Sequence, residues 1–204
     1  MEVTKALDQI SAIHEQLAKG EIYRGYRPVP VALSGACGLI AAALEPRAIA
    51  GGHARDFVLF WVGVGLISAL VGSSEIAFNY LFRENRFERR RTRRVLGQFG
   101  PALFAGAVLS GVAFYDRAGL VPWLPGLWAL FFGLGVFASR PYLPRVTGWV
   151  GLFYLACGCA WLLLAPAPPI PASWQLGGTF AVGQAAAAVV LYWNLERTRD
   201  AEEN

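Results

Sequence analysis

Six apolar runs separated by short polar stretches dominate the sequence, at approximately 29–44, 57–82, 95–115, 120–139, 146–165 and 174–194. A helix rises about 1.5 Å per residue and a bilayer's hydrocarbon core is about 30 Å thick, so a span takes about 20 apolar residues. The pattern predicts an all-α integral membrane protein, a six-transmembrane-helix bundle within residues 26–195. The first run is short because Glu45 and Arg47 close it, and it is expected to gain length from the approach at 23–28 or to sit where the bilayer thins. Ahead of it, Val3, Leu7, Ile10, Ile13 and Leu17 recur at spacings of three and four. That stripe predicts an N-terminal amphipathic helix within 1–25, lying on the membrane surface or capping the bundle. Residues 196–204 read as a short tail.

Charge orients the bundle. Six spans place both termini on one side, which carries fifteen of the eighteen Lys and Arg residues; Arg47, Arg55 and Arg117 lie on the other. Short cytoplasmic loops retain Lys and Arg, so both termini are expected in the cytoplasm. Aromatic residues suited to the headgroup layer gather at the proposed ends: Tyr23, Tyr26, Tyr80, Tyr142, Trp149, Tyr192 and Trp193 inside, Trp61, Tyr115, Trp123 and Trp174 outside. Residues 1–25 lack the pattern of a cleavable signal peptide, so the first span is expected to act as the targeting signal. Lipidation motifs are not apparent.

Composition agrees with this picture. With 55% hydrophobic and 16% charged residues, the chain departs from the roughly one-quarter charged content of soluble domains. Thirteen Phe, seven Trp and three Cys also exclude a disordered chain and a disulfide scaffold. Sixteen Arg against two Lys points to a bacterial inner-membrane protein from a GC-rich genome. The arrangement is similar in outline to small bacterial six-span proteins built from helical hairpins, a likeness of topology that implies no activity. An echo at offset 120 pairs Ala36, Cys37, Gly38, Leu44 and Pro46 with Ala156, Cys157, Gly158, Leu164 and Pro166, as repeated hairpins would.

Few polar residues enter the spans. Gly65, Ser68, Gly72, Glu75 and Asn79 alternate spacings of three and four, forming one seam on the second helix that another helix is expected to cover closely. Glu75 lies near the inner hydrocarbon boundary, where an ionised carboxylate needs a partner or water. Asn79, Gln98, Arg140 and Arg145 are its candidates. Gln184 falls near mid-membrane within the stripe Gly177, Ala181, Gln184, Ala188 and is expected to hydrogen-bond across a helix interface. Between the second and third spans, Arg83, Arg86, Arg89, Arg90, Arg91, Arg93 and Arg94 stand with two glutamates, a net +5. No Gly or Pro interrupts this stretch before Gly97, so it is expected to continue the second helix. Retention on the cytoplasmic side accounts for its charge; beyond that, it suits anionic lipid or a cytoplasmic protein partner.

Catalytic patterns fail on inspection. His14-Glu15 begins a zinc-protease signature, but Ala18 occupies the place of its second histidine. Gly133, Gly135 and Ala138 match a dinucleotide fingerprint in letters only, inside an apolar run where close helix packing accounts for them. Cys157 and Cys159 are about 200° apart around a helix and cannot chelate one metal together. No catalytic set, metal site or cofactor is expected, and no nucleic-acid-binding module surrounds the arginines. The expectation is a non-enzymatic binding or regulatory membrane protein with a cytoplasmic contact surface. A small oligomeric transporter or channel using the Glu75 seam and Gln184 is the alternative, and an intramembrane enzyme comes third.

Overall fold

A computed structural model describes residues 27–49, 53–83, 86–115, 119–164 and 172–196. The N-terminal amphipathic helix within 1–25 and the tail beyond 196 lie outside the described residues. Within them the structure is helical throughout: α1 Pro28–Ala48, α2 Ala54–Phe82, α3 Arg86–Phe114, α4 Leu124–Ser139, α5 Thr147–Leu163 and α6 Ser173–Leu191. Prolines mark several starts, with Pro28 opening α1 and Pro125 in the first turn of α4, because a helix's first turn needs no N–H from them. Gly119 adopts φ +58° in the short connection before α4, a conformation that costs glycine little. Short 3₁₀ turns at Val121–Trp123 and Arg140–Tyr142 extend α4 at both ends. With them, five helices among the described residues are long and apolar enough to cross a membrane, and α5 is a shorter apolar helix.

Sequence neighbours run antiparallel, and the most extensive interfaces join the neighbours α4 and α5 and, far apart in sequence, α1 and α6. Both depend on backbones approaching where side chains are missing. Gly38 faces Gly177, and a Cβ on Gly177 would lie 2.5 Å from the Gly38 carbonyl oxygen. Gly126 faces Gly158 in the same way, with a Cβ on either 2.9 Å from the other's carbonyl oxygen. Gly38 and Gly158 are equivalent in the offset-120 echo, and each serves a close approach of its helix to an antiparallel neighbour. Small residues allow van der Waals packing at distances that larger ones forbid.

Among the described residues, three clusters fill the interior. Phe57, Val58, Trp61, Ala113, Val121, Leu124, Leu176 and Ala41 close the end remote from the arginines. Trp61, expected among the interfacial aromatics, belongs to this core because its indole reaches a buried acceptor on α1. In the middle, the Tyr154 ring packs with Phe132 and Phe180 at centroid distances of 4.7 and 5.3 Å and lies on the backbone of Gly183, where a Cβ would overlap it. Val31, Ala188 and Leu191 join α1 to α6 at the arginine-rich end.

The outer surface is apolar. Leu66, Leu70 and Phe78 on α2 and Leu103, Phe104 and Val108 on α3 are all exposed, more large apolar side chains than a water-facing surface ordinarily presents. Trp149, Tyr192 and Trp193 are exposed at the arginine-rich end, and Trp123 and Trp174 at the other, the positions in which amphipathic rings favour headgroups.

Two boundaries differ from expectation. Helix α1 gains its length beyond Leu44, through Glu45, Pro46 and Arg47 to Ala48, because Glu45 turns inward and finds a partner. The arginine-rich stretch does not continue α2: that helix ends at Phe82, and Arg86 begins α3. The arginines from Arg86 to Arg94 therefore share a rigid helix with the third apolar run.

Candidate functional site

Charge concentrates where α2 meets α3. Three arginines fold back onto the end of α2: the Arg93 guanidinium donates to the Tyr80 hydroxyl at 3.1 Å, and Arg89 donates to the Leu81 carbonyl at 3.1 Å. Arg89 also sits 5.4 Å from the Tyr80 ring centroid and Arg83 5.4 Å from that of Phe78, within reach of cation–π attraction. Thr92 and Val95 are fully buried, which fixes the rotation of α3. The opposite face carries Arg90 and Arg94, one turn apart and exposed. The side chains of Arg86 and Arg91 lie outside the described residues.

Glu75 has a partner that the sequence did not nominate. Arg27 Nε, just ahead of α1, lies 3.2 Å from Glu75 Oε1, with both side chains about a third exposed. None of the four expected candidates takes that place. Gln98 is exposed on α3, Arg140 rests against Gly148 at the start of α5, and Arg145 is exposed beyond the end of α4. Asn79 contributes its backbone carbonyl, which accepts the Arg83 N–H at 2.9 Å.

The seam around Glu75 is covered only at its arginine-rich end. A Cβ on Gly72 would lie 3.5 Å from the Ser34 side chain of α1, whereas nothing lies within 4 Å of one on Gly65. Gly65 is exposed, so the expectation of a fully covered seam fails for that half of the helix. Helix α1 meets this face of α2 at Gly72 and again at Trp61, one turn before Gly65, and stands away from Gly65 between them.

Gln184 lies where α6 meets α1, and a Cβ on Gly35 would come 2.8 Å from the Gln184 Cβ. Shallow apolar depressions are found on the surface of the described residues. One, of about 360 Å³, is lined by Val108, Gly111, Val112 and Tyr115 on α3; another, of about 250 Å³, lies between the start of α1 and the end of α6. Neither is lined by Glu75 or Gln184.

Sequence reasoning missed Glu45. Its side chain is 6% exposed and accepts a hydrogen bond from the Trp61 indole at 3.0 Å. Gly38, Ala41 and Ala42 precede it at spacings that continue the small-residue face of α1, and that periodicity was the available signal. Among the described residues, no group of three or more His, Cys, Asp or Glu is placed to hold a metal. Cys37, Cys157 and Cys159 are free thiols. His53 and Asp56 approach within 3.5 Å in an exposed turn at the start of α2. No protein-family model, curated protein or solved structure matches this chain.

Proposed function

We propose that this chain is a multi-pass membrane protein of binding or regulatory type, with the arginine-rich end in the cytoplasm as its contact surface. One observation carries this reading: Arg83, Arg89 and Arg93 are engaged by the end of α2, while Arg90 and Arg94 point away from the bundle. Such an arrangement holds a rigid cationic surface at the membrane boundary, where each basic residue contributes about 1 kcal/mol of attraction to an anionic surface. The residues that a transport path would need are otherwise engaged. Glu75 pairs with Arg27, and Gln184 sits in the close-packed interface of α1 with α6.

The test is titration of the detergent-purified full chain with phosphatidylglycerol or phosphatidylcholine micelles at low and high salt, following its thermal midpoint. The expected result is stabilisation by phosphatidylglycerol that weakens with salt, because screening shortens the reach of surface charge. Equal response to both lipids refutes the contact surface. Ion or proton flux through proteoliposomes above protein-free controls supports the transport alternative instead.

A further inference from the structure

Helix α3 carries a continuous polar-to-apolar gradient on one outward face. Arg90 and Arg94 begin it, and Gln98 follows one turn later, all exposed. Pro101, also exposed, lies inside the helix and has no N–H, so the Gly97 carbonyl loses its usual donor four residues on. Nothing lies within 4 Å of a Cβ placed on Gly97 or Gly100, so the two glycines leave an open notch in the surface beside Pro101. Below it the face turns apolar: Phe104 is 71% exposed and Val108 50%.

We infer that this face is a binding site for one anionic glycerophospholipid, a deepening that rests on the arginine-rich end being a contact surface. The phosphate lies between the guanidinium groups of Arg90 and Arg94, whose charge-assisted hydrogen bonds suit phosphate oxygens. A headgroup hydroxyl donates to the bare Gly97 carbonyl, with the Gln98 amide at the same level. One acyl chain runs through the notch and along Phe104. At 1.5 Å per residue, Arg94 to Phe104 spans about 15 Å, the depth of a single leaflet.

Charge and pattern select this occupant. A phosphorylated peptide matches the two arginines but leaves the apolar continuation unused. A second copy docking through the same face in the same membrane orientation brings Arg90 and Arg94 towards their own counterparts, a like-charge juxtaposition that disfavours association. A lipid satisfies the cations, the carbonyl and the apolar stripe together.

Native mass spectrometry of the full chain, titrated with phosphatidylglycerol and phosphatidylcholine of matched acyl chains, tests the site. Arg90→Gln with Arg94→Gln is expected to weaken the first phosphatidylglycerol by about tenfold or more. Arg83→Gln with Arg89→Gln removes the same charge from arginines turned to α2, lowering the diffuse attraction without removing a direct contact, and is expected to weaken that lipid at least about threefold less than the Arg90 and Arg94 pair does. Gly97→Leu adds a side chain where open space leaves the fold unperturbed, and is expected to lower phosphatidylglycerol binding while its thermal midpoint in phosphatidylcholine stays unchanged. Equal losses in both arginine pairs overturn the site and leave the contact surface standing, whereas absence of any phosphatidylglycerol preference in the wild type overturns both. Displacement of phosphatidylglycerol by a soluble phosphoserine peptide or by inorganic phosphate at equal concentration identifies a phosphate site without lipid character and also overturns the inference.

Discussion

Replacing Gly177 with alanine probes the interface that unites the first and last of the described α-helices. The added Cβ would lie 2.5 Å from the Gly38 carbonyl oxygen, 2.6 Å from the Ala42 Cβ and 3.1 Å from the Trp61 ring. The first two neighbours belong to backbone or to a side chain with no rotamer to change, so α1 and α6 must part by about 1 Å to recover ordinary contact. Overpacking of this kind costs about 1–3 kcal/mol. Better helix propensity of alanine over glycine returns about 1 kcal/mol, which leaves Gly177→Ala less stable by up to about 2 kcal/mol. Gly178→Ala is the control, because nothing lies within 4 Å of a Cβ at the next residue and only the propensity gain of about 1 kcal/mol operates. Unfolding in mixed micelles titrated with denaturing detergent, followed by tryptophan fluorescence, measures both variants. Equal midpoints for Gly177→Ala and Gly178→Ala would refute the close approach of α1 and α6.

The Arg27–Glu75 pair, with each partner about a third exposed, resembles a surface ion pair. Arg27→Gln and Glu75→Gln are each expected to cost less than about 1 kcal/mol, measured by the same unfolding assay. The double variant should lose no more than the worse single one, and a much larger loss would show that one of the two partners makes a further, independent contribution. At the opposite end, Glu45→Gln keeps an acceptor for the Trp61 indole and is expected to be nearly neutral, whereas Glu45→Leu leaves a buried donor unsatisfied at about 1–3 kcal/mol. Equal stability of these two Glu45 variants would show that the 3.0 Å hydrogen bond contributes nothing.

Periodic features were legible in the sequence because helical geometry is local. The stripe Gly177, Ala181, Gln184, Ala188 maps onto the contact with α1, since spacings of three and four place residues on one face wherever the helix goes. Partners across helices were not legible in the same way. Glu45 with its neighbours Pro46 and Arg47 resembled a polar stop, and what keeps α1 going is an indole sixteen residues later on another helix. Gln98 is one of four candidates for Glu75 by its position along the helix, and position does not fix rotation: Thr92 and Val95 mark the buried face of α3, and Gln98 is exposed. The break between Phe82 and Arg86 had no glycine or proline to announce it.

Orientation across the membrane is the most direct test of the proposed cytoplasmic contact surface. In a background with Cys37, Cys157 and Cys159 replaced by alanine, single cysteines at Arg90 and at Pro168 can be labelled in intact cells with a membrane-impermeant maleimide. The expected result is labelling at position 168 without permeabilisation and at position 90 only after it. Labelling of both positions from the same side, or of position 90 alone in intact cells, would contradict a six-span protein that presents its arginine-rich helix to the cytoplasm.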